Sequence, residues 1–367
     1  MVTTQSRQVV FSAPNEIAID SIAVPDPGPD DVIVRVRRVG VCATDLHLLA
    51  GHIGDTFPLV PGHEFVGEVA AIGAAAAESH GLGIGDHVAV EMLLPCHRCP
   101  RCLEGTYNLC ERDDMATGLS RGRQLGVNIP RTVAPGLWGG YSEYLYVPAE
   151  AIVHRLPADL PWDVAVLVEP FAVACRAVQR GRVGPGDRVL VIGPGPIGIL
   201  LAAAARSAGA SVVVLGTRDS RLRTARAFGA DATINMREQD AETMVRAHVG
   251  ALADVVIEAA GSSEAQQLAA RLVRRGGRVV LAGACGAGST TSFRSDEDLL
   301  TREIDVLPSF LSAGGFGSAI GLLERGDFPY ADLITHSFPL DEVAAAFAVI
   351  AHREQDVMKV VLLPTGP

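Results

Sequence analysis

Strand-length apolar segments alternate with Ala-rich segments through the middle of this chain, and that alternation restricts the fold more than any other feature. DRVLVIG has the composition of a strand and PIGILLAAAARSAGA that of a helix. The pattern continues through SVVVLG, SRLRTARAFGA, ADVVIEAAG and RRGGRVVLAG. A continuously apolar strand must be covered on both faces, and helices that connect parallel strands provide that cover. The sequence therefore predicts an α/β fold with a doubly wound parallel sheet.

The turn GPGPIG lies between the first strand and the first helix of this pattern. A Gly-x-Gly-x-x-Gly motif alone is a weak signal, but a preceding strand and a following helix are the context that a dinucleotide-binding turn requires. Gly193 would permit the tight turn, Gly195 the close approach of the backbone to a pyrophosphate, and Gly198 the packing of helix on strand. We expect the turn, together with Pro196 and Ile197 at the helix start, to bind the cofactor.

The end of the second strand bears on the choice of cofactor. NAD enzymes usually place a carboxylate there for the ribose hydroxyl, whereas this chain has Gly216, Thr217 and Arg218. A glycine would leave room for a 2′-phosphate and an arginine would bind it, so NADP(H) is favoured and NAD(H) is the alternative. Arg218 as a solvated loop charge, or Asp219 reaching the ribose from a shifted loop, would reverse this interpretation.

Composition restricts the partners. The 367-residue chain has a formal net charge of −11 and lacks the basic stripe that nucleic-acid binding requires. The N-terminal segment has no apolar signal core, and no run has the length of a membrane span. We therefore expect a cytoplasmic protein that binds neither nucleic acid nor membrane.

Two groups of potential zinc ligands are present in the sequence: Cys96, Cys99, Cys102 and Cys110 in one, and Cys42, His63, Glu64 and Glu169 in the other. Four thiolates leave no open position on zinc, which is typical of a structural site, whereas a mixed set of ligands usually keeps a position for water or substrate. In a reducing compartment, closely spaced cysteines favour metal binding over disulfides, and free thiols are the alternative. The sequence predicts one structural and one catalytic zinc per chain.

These motifs occur in an order that resembles the zinc-dependent alcohol dehydrogenases of the medium-chain dehydrogenase/reductase superfamily. The resemblance covers essentially the whole chain and is carried by GHEFVG, CATDLH, the GPGPIG turn, the cysteine lobe and the pair Glu169-Pro170. The Glu-Pro pair is most similar to the polyol (sorbitol-type) and threonine dehydrogenase branch. The resemblance implies a GroES-like, mostly-β catalytic domain and a Rossmann cofactor domain. Their expected bounds are residues 1–168 with a zinc lobe at 96–110, residues 169–307, and a return segment at 308–367 that completes the catalytic domain.

The resemblance also implies roles around the catalytic zinc. Cys42 and His63 would be ligands, and Glu169 would supply the third ligand directly or through water. Glu64 would exchange onto the metal during the cycle. For Glu169 alone, a charge in the first turn of a helix is the alternative, but its apolar neighbours in VAVLVEPFAVAC favour a metal partner.

Three further residues near Cys42 and one near the C-terminus have implied roles. Thr44 and His47 match the proton relay of the family. Asp45 fits a hydrogen bond to the second ring nitrogen of His63, with a helix cap as the alternative. Lys359, the only lysine, matches a position where relatives place a basic residue against the cofactor pyrophosphate.

The function implied is the reversible oxidation of a secondary alcohol or polyol to a ketone, with hydride transfer to NAD(P). A threonine-type or aldehyde-type dehydrogenase is an alternative, as is a non-catalytic NAD(P)-binding relative. The long segment 111–140, with Trp138, would line or cap the substrate site or form a subunit contact. His52 lies where relatives shape the substrate pocket. The resemblance implies a homodimer or homotetramer.

Overall fold

The computed structural model describes residues 4–54, 56–112, 122–352 and 356–366. The chain forms two compact units. The first contains Met1–Glu169 and Tyr330–Pro367, and the second contains Pro170–Pro329.

The strands, in chain order, are β1 (Gln5–Ala13), β2 (Glu16–Ala23), β3 (Val32–Val41), β4 (Glu64–Ile72), β5 (His87–Val90), β6 (Leu93–Leu94), β7 (Arg123–Gln124), β8 (Tyr144–Val147), β9 (Val153–Arg155), β10 (Arg188–Ile192), β11 (Ser211–Gly216), β12 (Ala232–Asn235), β13 (Ala253–Glu258), β14 (Val273–Leu281), β15 (Asp305–Pro308), β16 (Ile334–Pro339) and β17 (Lys359–Leu363). The α-helices are α1 (Ala43–Leu49), α2 (Ala74–His80), α3 (Pro100–Leu103), α4 (Trp162–Ala165), α5 (Val168–Arg180), α6 (Pro196–Ser207), α7 (Asp219–Ala227), α8 (Ala241–Val249), α9 (Ser263–Leu272), α10 (Phe316–Arg325) and α11 (Val343–Ala351). Short 3₁₀ and π turns lie at Tyr107–Leu109, Ser295–Leu299, Leu300–Arg302, Tyr330–Leu333 and Leu340–Glu342.

The second unit is built on a parallel sheet with the strand order β12-β11-β10-β13-β14-β15. This is the doubly wound order in which β10 and β13, the first and fourth strands of the unit, lie side by side. The central strands are apolar along their length because they are covered on both faces, and Leu190, Val213 and Val256 lie in one buried cluster. The predicted doubly wound fold is confirmed.

The first unit has a mixed sheet with the strand order β16-β17-β3-β4-β5-β9, in which β8 also pairs with β3. All of these pairs are antiparallel except β16 with β17. The C-terminal strand β17 therefore lies directly beside β3, and the ends of β3, β4 and β17 meet. These three ends carry the residues of the candidate site.

The return to the first unit begins at Tyr330, later than the predicted residue 308. The intervening segment remains with the second unit because its backbone bonds there: the amide of Ser309 donates to the carbonyl of Leu281, and Arg176 donates to the carbonyl of Ala313. Ala319 on α10 is buried as well. The sequence pattern of α10 gave no sign of which sheet it covers.

Within the part of the chain that the structure describes, no helix combines the length and the apolarity needed to cross a bilayer.

One carboxylate ties together three strands at the amino edge of the parallel sheet. Asp254 on β13 accepts hydrogen bonds from the backbone amide and the guanidinium of Arg188 on β10, and from Nε of Arg274 on β14 at 2.6 Å. The guanidinium of Arg188 is the largest influence on this carboxyl and, with Arg274, holds the pKa of Asp254 well below its usual range against the opposing effect of burial.

We expect Asp254→Asn to lower the free energy of unfolding at pH 7 by about 1–2 kcal/mol, since both arginines are partly exposed and solvent screens the pair. Because the folded pKa is depressed, this stabilisation is complete above the unfolded pKa of about 3.9 and is lost as pH falls toward the folded pKa. The difference in urea midpoint between wild type and variant should stay constant from about pH 7 to pH 5 and narrow below about pH 4.

Glu242→Gln is the matched control, since it removes an exposed ion pair with Arg246 in the same unit. It should change the free energy of unfolding by less than about 0.5 kcal/mol. An equal effect from both variants would contradict the role assigned to Asp254.

Candidate metal centres and cofactor-binding turn

The loop after β3 forms the first part of the site. Cys42 is the N-cap of α1, and its backbone amide donates to Oδ2 of Asp45 at 2.8 Å, which closes a capping box. The cap fixes the start of the helix and with it the position of the thiol. Thr44 follows in the first turn, with its Oγ1 3.6 Å from Sγ of Cys42. Asp45 therefore takes part in capping the helix, the alternative that the sequence offered, as the third helical residue of the box.

Asp45 also faces the imidazole of His63, as predicted for a group that orients a metal ligand. Oδ1 of Asp45 lies 3.5 Å from Nδ1 of His63, and both side chains are buried. The other carboxylate oxygen accepts a second hydrogen bond, from the hydroxyl of Tyr141 at 2.9 Å. The sequence analysis missed Tyr141, because nothing in WGGYSEY distinguishes a buried donor from an ordinary core aromatic.

Glu64 starts β4 and is held by a buried ion pair with Lys359 at the start of β17. Nζ of Lys359 also donates to the carbonyl of Val41 at 3.2 Å. Gly40 lies opposite Glu64 in the register of β3 and β4, and a Cβ at this glycine would overlap both Glu64 and Lys359. The ammonium thus has two partners inside the first unit, and its contact with a pyrophosphate stays a prediction.

Cys42, His63 and Glu64 offer one potential ligand atom each, and these three atoms lie within 4.8 Å of one another. Glu169, in the first turn of α5, is buried but is not one of this set. Burial, and then the negative charge of Glu64, raise the pKa of Glu169 to about 7. Glu64 therefore shares one set of potential ligand atoms with the thiol and the imidazole, and a contact of Glu169 with the metal, directly or through water, stays a prediction.

The charge of this set fits a divalent cation. Burial acts to lower the pKa of His63, but the charge of Asp45, its hydrogen bond and the neighbouring Cys42 outweigh burial and raise the pKa well above its usual value. Buried negative charge of this density requires a positive partner, and a thiol, an imidazole and a carboxylate are donors that zinc accepts. Cys42, His63 and Glu64 would hold the metal.

The four cysteines of the lobe converge as predicted. Their sulfur atoms all lie within 4.8 Å of one another, and Sγ of Cys96 is 3.9 Å from Sγ of Cys102. The backbone amide of Cys99 donates to Sγ of Cys96 at 3.3 Å, and amides of Arg98 and Cys99 lower the pKa of Cys96 to about 6. Burial raises the pKa of Cys102 to about 12. Zinc would remove this asymmetry by binding all four as thiolates.

The GPGPIG turn joins β10 to α6. Gly193 has φ +102°, and a Cβ there would lie 2.7 Å from the backbone nitrogen of Ala260. No atom lies within 4 Å of a Cβ built on Gly195, whereas a Cβ on Gly198 would overlap the carbonyl oxygen of Gly193. Space beside Gly195 at the start of α6, which begins at Pro196 and continues through Ile197, fits a bound pyrophosphate. The cofactor contacts of these residues stay predictions.

Glu258, which the sequence analysis missed, supports the loop beside this turn. It is the last residue of β13 and is fully buried. Its Oε1 accepts hydrogen bonds from the backbone amides of Ala260 and Gly261 at 2.6 and 2.7 Å. Burial raises the pKa of Glu258. The available signal was a carboxylate at the end of the otherwise apolar segment ADVVIE.

The structure gives Gly216 a packing role at the end of β11. A Cβ there would come within 2.7 Å of Cδ of Pro194, so the glycine accommodates the proline of the turn. Arg218 is the N-cap of α7 and is half-buried. Asp219 accepts a hydrogen bond from Asn235 at 2.8 Å. Thr217 is exposed between them. The contacts of Gly216, Thr217 and Arg218 with a 2′-phosphate stay predictions.

The expected proton relay lies along α1. Thr44 and His47 are one turn apart, and His47 is exposed at the end of the helix. Nδ1 of His47 lies 3.4 Å from Nδ1 of His52, a pairing that the sequence did not predict. His52 is itself exposed.

Two family models match most of this chain. The model described as "Alcohol dehydrogenase GroES-like domain" matches residues 28–158, and "Zinc-binding dehydrogenase" matches residues 196–325. A Mycobacterium tuberculosis protein named "Probable alcohol dehydrogenase adh" is 36% identical over 96% of each chain. The erythritol/L-threitol dehydrogenase of Mycolicibacterium smegmatis is 34% identical over 99% of each chain.

Two solved structures of dehydrogenases have a fold similar to that of this chain. A structure from Sinorhizobium meliloti 1021 bound to NADP has a TM-score of 0.86 at 30% identity and covers 98% of this chain and 100% of that one. The alcohol dehydrogenase rspB of Escherichia coli CFT073, complexed with NADH, has a TM-score of 0.85 at 29% identity, and the match covers 98% of this chain and 99% of that one.

The chain belongs to the zinc-dependent medium-chain alcohol dehydrogenase family. It is an NAD(P)-dependent oxidoreductase of the alcohol dehydrogenase type, with a GroES-like domain and a Rossmann domain. The resemblance, the fold class and the enzyme class that the sequence predicted are confirmed.

The long segment 111–140 of this dehydrogenase is described in part, and the predicted role of residues 113–121 lies outside the described residues. In the described part, Trp138 is buried, stacks edge-on against Tyr146 with ring centroids 5.1 Å apart, and donates to the carbonyl of Val133. Trp138 therefore packs inside the first unit.

The dehydrogenase should contain about two zinc ions per chain, and Cys42→Ala and Cys102→Ala should each retain about one. Cys102→Ala should also lower the melting temperature more than Cys42→Ala does, because a four-thiolate site stabilises the lobe that it closes. Metal content by mass spectrometry after dialysis, together with thermal unfolding, checks both expectations.

Cys175→Ala removes a buried thiol outside both ligand groups and should keep the wild-type metal content. If Cys42→Ala also kept the wild-type content, Cys42 would not be a zinc ligand.

Proposed function

We propose that this dehydrogenase oxidises a secondary hydroxyl of a polyol to a ketone, with NADP⁺ as the preferred hydride acceptor. The observation that carries the proposal is the buried set of Cys42, His63 and Glu64, with the second carboxylate of Glu169 nearby. A zinc site that combines one thiolate with nearby carboxylates matches the polyol branch. The erythritol/L-threitol dehydrogenase relative supports the same substrate class.

Zinc held by this set would act as a Lewis acid toward the substrate oxygen, and NAD(P)⁺ would accept the hydride. The chain supplies the proton path. Thr44 lies beside the thiol of Cys42, so its Oγ1 can accept the proton of the substrate hydroxyl. His47 at the exposed end of α1 would pass the proton to solvent, with His52 in contact.

Three features support the cofactor proposal. Gly195 leaves space beside the backbone at the start of α6, where a helix N-terminus favours phosphate. Arg218 follows the end of β11 as the N-cap of α7, in the region where the adenosine ribose of a dinucleotide binds in this fold. No carboxylate stands between Gly216 and Arg218 in the sequence. Asp219, the candidate ribose partner, already binds Asn235.

A screen of polyols, other secondary alcohols, threonine and aldehydes, each with NAD⁺ and NADP⁺, tests the reaction. We expect the highest kcat/KM for a polyol with NADP⁺. Arg218→Ala should raise KM for NADP⁺ about tenfold or more, since it removes a charge-assisted contact worth about 1.5–3 kcal/mol, and should change KM for NAD⁺ about twofold at most.

Arg223→Ala is the control, because it removes an exposed arginine one turn further along α7. A strong wild-type preference for NAD⁺ would contradict the role of Arg218, and threonine as the best substrate would contradict the polyol assignment.

We also propose that the dehydrogenase is a homodimer or homotetramer. Among the described residues, β15 is one of the two end strands of the parallel sheet, and an edge strand presents unpaired backbone groups to a partner. Phe310, just after it, is 52% exposed, and Leu103 on the cysteine lobe is 75% exposed. Apolar side chains of this exposure are typical of contact surfaces.

Light scattering of the purified protein should give a mass of two or four chains of 38.4 kDa each. A monomer mass over the full concentration range would exclude the oligomer.

A further inference from the structure

We propose that Tyr141 is a positioning residue for the mixed-ligand metal centre: its hydroxyl, acting through Asp45, fixes the orientation of His63. The proposal rests on the proposed ligand set of Cys42, His63 and Glu64. It assigns Tyr141 no contact with metal or substrate.

The hydrogen bonds of Asp45 show how this positioning works. Oδ2 accepts two donors, the hydroxyl of Tyr141 at 2.9 Å and the backbone amide of Cys42 at 2.8 Å. Oδ1 is left to face Nδ1 of His63 at 3.5 Å, and within the described chain neither of these two atoms has a hydrogen-bond partner elsewhere or a shorter contact with the other. Two donors on one oxygen fix the plane of the carboxylate, so the other oxygen points at the imidazole.

The orientation of the imidazole decides which nitrogen is available for a metal. A carboxylate that accepts from Nδ1–H leaves the other ring nitrogen unprotonated, as a zinc ligand must be. Asp45 and Tyr141 are both fully buried, so water does not replace a lost donor. Burial first, and then the charge of Asp45, raise the pKa of Tyr141 well above its usual value, so the phenol remains a donor.

The aromatic ring of Tyr141 is held in place without its hydroxyl. The backbone amide of Tyr141 donates to the carbonyl of Pro61 at 3.0 Å, and its carbonyl accepts from Val9 at 2.8 Å. The ring packs near Phe347, with centroids 6.2 Å apart, and fills the space beside Gly62, where a Cβ would overlap it. Phenylalanine should therefore occupy the same site, and Tyr141→Phe removes one hydrogen bond with little else.

Competition with a chromogenic chelator measures the zinc affinity of the mixed-ligand site, with the four-cysteine site of the same chain as an internal reference. We expect Tyr141→Phe to weaken the mixed-ligand site about 3- to 10-fold, less than the 10- to 100-fold typical when the direct partner of a ligand is lost. The four-cysteine site should keep its affinity. Tyr146→Phe is the matched control, since it removes the hydroxyl of a tyrosine on β8 that meets Asp31.

A double-mutant cycle separates positioning from a general loss of packing. If Tyr141 acts through Asp45, the variant Asp45→Asn combined with Tyr141→Phe should bind zinc no more weakly than Asp45→Asn alone. Additive losses, or an unchanged affinity in Tyr141→Phe, would overturn the proposal. If Asp45→Asn does not fold, the comparison of Tyr141→Phe with Tyr146→Phe decides alone.

Failure of the underlying ligand set has a different signature. If Cys42→Ala has the same zinc content as the wild type, the mixed-ligand site does not exist as proposed, and the role of Tyr141 is refuted with it. A zinc content that does respond, with the affinity of Tyr141→Phe unchanged, would remove only the role of Tyr141 and leave the proposed function intact.

Discussion

Buried negative charge in the first unit constrains the arrangement of the residues around it. Asp45, Glu64 and Glu169 are all buried, and Cys42 adds a thiol beside them. A carboxylate removed from water is costly unless donors or a positive charge compensate it. Lys359 provides one such charge for Glu64. A divalent cation is the natural complement of what remains, and this requirement explains why so many ionisable groups are tolerated inside a small β domain.

The topology of the mixed sheet makes this concentration possible. Because β3 lies between β4 and β17, the end of β3 leads into α1 while β4 and β17 begin on either side of it. The thiol, the carboxylate and the ammonium are thus supplied by three neighbouring strand ends. Gly40 keeps the middle strand free of a side chain at the point where the other two meet. Rigid strands fix such a site more closely than a loop would.

In the second unit, backbone amides and not buried side-chain charges define the candidate site. Its turn at Gly193 and the start of α6 would offer amide donors and space to the proposed dinucleotide, and Glu258 holds the adjacent loop by accepting hydrogen bonds from two backbone amides. Oε1 of Glu258 thus stabilises a loop of the protein itself.

Features that depend on short separations along the chain could be predicted from the amino-acid sequence. The alternation of strands and helices, the GPGPIG turn, the convergence of Cys96 with Cys110 and the capping position of Asp45 all follow from local spacing, and the structure contains each of them. The family resemblance extended this to the class of enzyme, because its motifs recur together and in order.

Contacts between side chains that are distant in the sequence depend on the tertiary fold. Lys359 donates to a carbonyl 318 positions away, and Tyr141 to a carboxylate 96 positions away, so their partners depend on strand order and register, which no local pattern encodes. The chain returns to the first unit at Tyr330 and not at the expected residue 308, again because the position of the return depends on packing between distant segments. An amphipathic helix such as α10 shows that it covers a sheet, but only packing shows which sheet it covers.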